Sequence, residues 1–150
     1  MQVQKQFSVF MVNKPGVLAQ VLGHLAAAKI NITAMTMVDS TEHGVMRFVC
    51  VDPDKARTVL ARLNMPVSET DVLCVTLSNR PGALAEIAEK LARRHINIAY
   101  AYCTAGAVGG KTTGVLKIAD VNKAIKILAD KSDPRNKSMP TIRRAPNSRR

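Results

Sequence analysis

One segment of this chain occurs twice, 66 residues apart, and the duplication limits the fold more than any other feature. Asn13-Lys14-Pro15-Gly16-Val17-Leu18-Ala19 returns as Asn79-Arg80-Pro81-Gly82-Ala83-Leu84-Ala85, and Ile30-Asn31-Ile32 returns as Ile96-Asn97-Ile98. Aligned without gaps from Asn13 to Ile32, ten of the twenty positions are identical. A repeat of about 60 residues is too long for a solenoid unit and fits a small domain. A lone unit of that size buries too little of its surface to be robust. Two copies are therefore expected to pack on each other, with any functional site at the seam.

The 47% apolar content suffices for a core, and with three Phe, two Tyr and no Trp that core must be aliphatic. No stretch approaches the roughly 18 apolar residues of a membrane span, and Met1–Gln6 lacks the apolar run of a secretory signal. Three widely spaced cysteines, Cys50, Cys74 and Cys103, are odd in number. They read as reduced, buried thiols of a cytoplasmic protein. The net charge is +11. Residues 131–150 carry seven Lys and Arg against Asp133, so +6 of that excess sits in this stretch. Residues 132–150 are expected to form a basic, disordered tail, with electrostatic contact to nucleic acid as the alternative.

Each repeat reads as strand, helix, strand, strand, helix, strand. In the first, Lys5–Val12 alternates apolar and polar, and Leu18, Val21, Leu22 and Leu25 share one helix face. Ile32–Val38 and Val45–Val51 are β-rich runs around a polar hairpin, Asp39–Gly44. Asp52-Pro53 opens a second helix, with Pro in the first turn where its missing N–H costs nothing. Pro66–Glu69 is expected to close the unit. The second repeat predicts strands at Val72–Leu77, Ile98–Cys103 and Thr113–Ile118. Its helices are centred on Leu84/Ile87/Leu91 and on Ala124/Ile127/Leu128. Its closing strand has one candidate, Ser138–Arg144, where Pro140 allows an edge position alone.

The βαββαβ order predicts an α+β protein of two ferredoxin-like sandwiches, residues 1–69 and 70–131. Strand two of each would be an edge, and edges invite pairing. The expected arrangement joins the units side by side through their strand-two edges into one eight-stranded antiparallel sheet.

The turn Asn13-Lys14-Pro15-Gly16 links strand one to helix one. Free N–H groups and the positive end of the helix dipole favour a carboxylate there, and glycine lets a ligand approach the backbone. Asn13 offers a donor and an acceptor, as a zwitterion requires. Asn31 follows Gly16 by the same interval that separates Asn97 from Gly82. With strand-two edges joined, Asn97 would approach the Gly16 turn and Asn31 the Gly82 turn. Asn-x-Pro-Gly is also an ordinary turn, and duplication copies scaffolds as well as sites.

The twice-written Asn-Lys/Arg-Pro-Gly-x-Leu-Ala, followed by an apolar helix and Ile-Asn-Ile, resembles the signature of the ACT domain over roughly residues 5–130. The resemblance implies a stand-alone, non-enzymatic tandem ACT protein. It would bind a small free amino acid between its domains, without a cofactor or metal. It would control a metabolic enzyme in trans or its own oligomeric state, with a homodimer expected. In serine-sensing relatives the motif asparagine and glycine hold the ligand together with the strand-two asparagine of the adjoining domain. Those roles would fall on Asn13, Gly16 and Asn31, and on Asn79, Gly82 and Asn97. Lys14, Pro15, Val17 and Leu18, with Arg80, Pro81, Ala83 and Leu84, complete the two loops. The same relatives carry a histidine two residues before the motif asparagine. Met11 and Leu77 stand there, which argues against serine as ligand. The competing readings are a protein-interaction module without ligand and a nucleic-acid binder acting through the basic tail.

Other signals are weaker. Ala105–Thr112 imitates the end of a P-loop but falls in a strand-to-strand hairpin, not a strand-to-helix turn. Tyr100 and Tyr102 share a strand face, and packing is a better reading for them than base stacking. His24 and His95 read as helix-surface residues and His43 as a hairpin residue, none at metal-ligand spacing. Met35, Met37 and Met46 are expected to pack the core or the seam.

Overall fold

A computed structural model of the chain describes residues 1–39, 43–104, 106 and 109–130. The elements are β1 (Gln2–Val12), α1 (Val17–Ala27), β2 (Ile32–Asp39), β3 (His43–Cys50) and α2 (Pro53–Leu60). They continue with β4 (Val67–Ser78), α3 (Ala83–Arg93), β5 (Ile98–Cys103), β6 (Lys111–Ile118) and α4 (Val121–Ala129). Twin local signals start the second helix of each repeat. The Asp52 and Asp120 side chains accept the backbone N–H of Lys55 and Lys123 at 3.0 and 2.9 Å, as helix N-caps do.

The strands form one antiparallel sheet in the order β2-β3-β1-β4-β6-β5. This corrects the expected eight-stranded sheet joined through strand-two edges: the described residues hold six strands, and β2 and β5 are its two edges. The physical reason lies in the length of β1 and β4. Gln6–Val12 pairs with β3 inside the first unit, whereas Gln2–Lys5 runs on to pair with Asp71–Cys74 of the second. Reciprocally, Val67–Thr70 pairs with Gln6–Val9 before the same strand continues to Ser78 beside β6. Each long strand opens its own unit and closes the other, so β4 runs unbroken through residues 69 and 70. Across this ladder the residues that face each other at the repeat interval are Lys5 and Asp71. A pseudo-twofold axis therefore passes between them, and they form an ion pair at 2.8 Å. The closing position of the second unit is held by Gln2–Lys5. Ser138–Arg144, the expected tail 132–150 and residues 40–42 of the first hairpin lie outside the described residues.

Alternation along β1 separates two faces, as the period of two dictates. Phe7, Val9 and Met11 are buried with Met46 and Phe48 under Val21 and Leu25 of α1 and Ala56 and Leu60 of α2. Leu73, Val75, Leu77, Leu116 and Ile118 do the same under α3 and α4. All four helices therefore cover one face. The opposite face curls on itself and makes a third core from Ala34, Val49, Val72, Cys74 and Val115, with Tyr102 against it. The curl brings β2 near β5. It also lets Gln6, fully buried in β1, donate to the Tyr100 hydroxyl at 2.7 Å and accept from that of Tyr102 at 3.0 Å. The Arg47 guanidinium stacks 4.4 Å from the Tyr100 ring centre. Both tyrosines thus serve packing between the units.

Several side chains depart from the sequence reading. Met46 is in the core, but Met35 and Met37 are more than one-third exposed. Cys50 and Cys74 are buried, whereas Cys103 is exposed, because outward positions of an edge strand have nothing to cover them. His95 lies beyond the end of α3, at φ 56°, not on its surface.

Candidate functional site

The two glycine turns are built alike. Gly16 (φ 87°, ψ −19°) and Gly82 (φ 86°, ψ −14°) occupy the left-handed region at the N-cap of α1 and α3. An L side chain there costs about 1–2 kcal/mol, so glycine is the fitting residue. Lys14 and Arg80 each donate their N–H to the carbonyl two residues back, at 2.9 Å. Neither helix has a side-chain cap, which leaves first-turn N–H groups for an external acceptor.

The turns differ in what surrounds them. Arg80 grips both oxygens of Glu86 at 2.7 and 2.8 Å, a clamp with no counterpart at Lys14, since Gln20 stands where Glu86 would be. The Asn79 amide donates to the Gly106 carbonyl at 2.7 Å, and its backbone exchanges bonds with Gly109 and Gly110, tying the turn to the β5–β6 hairpin. The Asn13 side chain makes no hydrogen bond among the described residues. Residues 105, 107 and 108 of the P-loop-like segment are outside the described residues.

Strand direction decides which asparagine shares an end of the sheet with which turn. β2 runs parallel to β1, and β5 parallel to β4, while β1 and β4 are antiparallel. Asn97 therefore lies at the Gly16 end and Asn31 at the Gly82 end. Asn13, Lys14, Pro15 and Gly16 are exposed, and Val17 and Leu18 pack on the first core. Asn31 is exposed and its carbonyl accepts the Val51 N–H at 3.2 Å. In the second repeat Arg80 and Pro81 are exposed, Ala83 is buried and Leu84 is 40% exposed.

Two cavities open at the Gly82 end. One of about 300 Å3 runs along the turn, touching Arg80, Ala83 and Glu86, with Thr76 and Leu77 of β4. The other, about 210 Å3, lies on the curled face and is lined by Met1, Gln2, Gln4, Thr33, Cys74, Thr76 and Thr113. Met1 and Thr76 belong to both, and Thr33 stands two residues beyond Asn31. The turn of one repeat and strand two of the other thus line neighbouring cavities that have Met1 and Thr76 in common. Asn97 lines a separate cavity of about 310 Å3 with His95, Ile96, Asp120 and Lys123. A fourth, open hollow of about 780 Å3 lies over the pseudo-axis, among Lys5, Glu69, Asp71 and Lys117. The Gly16 turn lines none of these four.

The glutamines and threonines of the curled face escaped the sequence reading. Gln2, Gln4, Gln6 and Ser8 alternate with Val3, Phe7 and Val9 in β1, and that polar stripe on a buried strand was the available signal. Burial raises the Cys74 thiol to about 11, and the thiol donates to Gln4 Oε1 at 3.4 Å. Among the described residues no three His, Cys, Asp or Glu side chains could hold a metal ion. No helix there is long and apolar enough to cross a membrane.

A protein of Bacteroides thetaiotaomicron of known structure is 33% identical, with a TM-score of 0.78 over 84% of this chain and 86% of that one. The ligand-free regulatory subunit of aspartate kinase from Thermus thermophilus has a TM-score of 0.61 at 15% identity, over 85% and 95% of the two chains. The corresponding subunit from Thermus flavus gives 0.58 at 16% identity, over 85% and 91%. These last two likenesses are of fold. No curated protein sequence matches. The profile of the ACT domain pair covers residues 1–134, and the chain belongs to that family.

Proposed function

We propose that this chain is a regulatory, non-enzymatic protein that binds a small free amino acid between its two ACT units, residues 1–69 and 70–131. The observation that carries the reading is the duplicated left-handed glycine at an uncapped helix N-terminus, with a strand-two asparagine at the same end of the sheet. The first-turn N–H groups and helix dipole suit the carboxylate. The side-chain carbonyl oxygens of Asn79 and Asn31, or of Asn13 and Asn97, suit the ammonium group. Lys14, Pro15, Val17, Leu18, Arg80, Pro81, Ala83 and Leu84 shape the two loops. A ligand held by both units favours their docked arrangement by its differential affinity for it. Two neighbours in fold are regulatory subunits of aspartate kinase, which supports control of a metabolic enzyme in trans. A homodimer in the cytoplasm is the assembly we expect.

The test is thermal unfolding against each of the twenty amino acids, for the wild type and for Gly16→Ala and Gly82→Ala. A true ligand at about a hundredfold excess over Kd adds about 2.7 kcal/mol. That is roughly 5–10 °C for a chain of this size. The rise should shrink in at least one glycine variant. The reading is overturned if no amino acid raises the midpoint, or if the rise is the same in both variants.

A second reading rests on Phe10, Val12 and Val38, which are 42–46% exposed. Phe10 and Val38 lie in one cross-strand row with Val45 at the Gly16 end. An apolar row of this kind favours contact with a protein. Failure of every amino acid in the screen would move the weight to that reading.

A further inference from the structure

The two ends of the seam are related by the repeat, yet their chemistry is opposed. At the Gly82 end, Thr33, Thr76 and Thr113 converge on the cavity of about 210 Å3, with Gln2 and Gln4 beside them. Thr76 and Thr113 are direct partners across β4 and β6, and the Thr104 N–H extends the row by bonding the Thr113 carbonyl at 2.9 Å. At the Gly16 end the residues in the same places are Ala99, Phe10 and Val45, and the row continues to Val38. Every threonine hydroxyl of the first seam is thus replaced by an apolar group in the second. Of the polar residues that remain there, Ser8 accepts from the Gln6 amide and Thr70 from the Lys117 ammonium, while the exposed Ser68 stands in the place of Gln2. Phe10 adds an aromatic ring where Thr76 leaves space.

Resting on the reading of the chain as an amino-acid binder, we propose that it binds one amino acid per chain, at the Gly82 end alone. The side chain enters the threonine-lined cavity, and the main-chain groups face the turn through the space that Thr76 shares. The lining also selects the ligand. It offers three hydroxyls and two carboxamides, each able to donate and accept, and no charged side chain, with Met1 also in its lining. A ligand carboxylate side chain can only accept and would leave the carboxamide oxygens unmatched, and an ammonium would face the chain's own N-terminal ammonium, which acts on the Cys74 thiol. An aliphatic one would leave the threonines unpaired. The matching class is a small, neutral, hydrogen-bonding side chain, a hydroxyl or a carboxamide. The threonine hydroxyls set this preference within the ACT pair.

The experiment is titration calorimetry of the full chain with serine, threonine, asparagine, glutamine, leucine, lysine and aspartate. Wild type, Thr76→Val, Thr113→Val and the double variant Phe10→Thr/Val45→Thr are compared. Valine is nearly isosteric with threonine and suits a strand, and circular dichroism confirms that each variant folds. The proposal expects one molecule bound per chain, from the hydroxyl or carboxamide group of ligands. Each Thr→Val change should weaken binding about three- to tenfold, the worth of one neutral hydrogen bond. The double variant at the opposite seam should stay within about twofold. Two molecules per chain, a preference for leucine, lysine or aspartate, or a loss confined to the Phe10/Val45 variant would overturn this proposal while leaving amino-acid binding intact. Absence of heat, together with a flat thermal screen, would overturn the underlying reading as well.

Discussion

Deleting Gln2–Gln4 is the perturbation that bears most sharply on how the two units are joined. These residues extend β1 along β4, opposite Cys74, Leu73 and Val72, where β3 no longer accompanies them. The deletion leaves the first unit its own strand pairings from Gln6 to Val12 and removes the closing strand of the second. Each ladder bond is worth about 1 kcal/mol net. With some exposure of the Leu73 region added, the loss is roughly 2–4 kcal/mol. For a chain of this size that lowers the melting midpoint by roughly 5–15 °C. Circular dichroism measures the midpoint, and hydrogen exchange locates the damage. Amides of Val72–Val75 and of β6 should lose protection, while those of β2 and β3 keep theirs. A midpoint within about 2 °C of wild type, or equal loss of protection in both units, would refute the strand exchange. Either result would reopen the question of whether Ser138–Arg144 closes the second unit.

Three further outcomes are expected. Gly16→Ala should cost about 1–2 kcal/mol in urea unfolding, purely from the left-handed backbone, because an added Cβ meets nothing within 4 Å. Gly16→Asn should cost visibly less, since asparagine tolerates that region. Titration with a disulfide reagent at about pH 8 should find Cys103 fast, because it is exposed, and Cys50 and Cys74 slow, because burial raises both thiols. Equal rates for all three would contradict the packing of Cys50 in the first core and of Cys74 on the curled face. The Arg57 guanidinium, 2.8 Å from Glu69, holds that carboxyl below its usual range. A depressed carboxylate stabilises the fold above its ordinary pKa and loses that contribution as pH falls through the folded value. Acidification below about pH 4.5 should therefore erode wild-type stability slightly more than that of Arg57→Gln. The effect is modest, because the pair is solvent-screened. Parallel pH curves would refute it.

Much of this architecture was legible because local signals agree with the fold. Period-two alternation marked β1, period-3.6 spacing marked α1, and Asp52 and Asp120 announced the starts of their helices. The strand exchange was not legible. Met1–Gln4 looks like a short polar lead-in, and Val67–Ser78 looks like two strands divided by Glu69-Thr70-Asp71. Only the pairing register shows that each extension covers the other unit, and register is a long-range property. The site divided in the same way. Asn-x-Pro-Gly between a strand and a helix pointed to Gly16 and Gly82 directly. Thr33, Thr76 and Thr113 lie on three different strands, and only the curl of the sheet brings them to one cavity. The difference between the seams could have been read by aligning Phe10 with Thr76 and Val45 with Thr113. Nothing in either copy alone says that these positions face a shared space.

The measurement that reaches the central claim most directly is a crystal structure of the chain grown with the amino acid that gives the largest thermal shift. The account predicts density for one molecule per chain between the Gly82 turn and Thr33, its carboxylate toward the first turn of α3. Density over Lys5 and Asp71 at the pseudo-axis, or beside Asn97 alone, would contradict it.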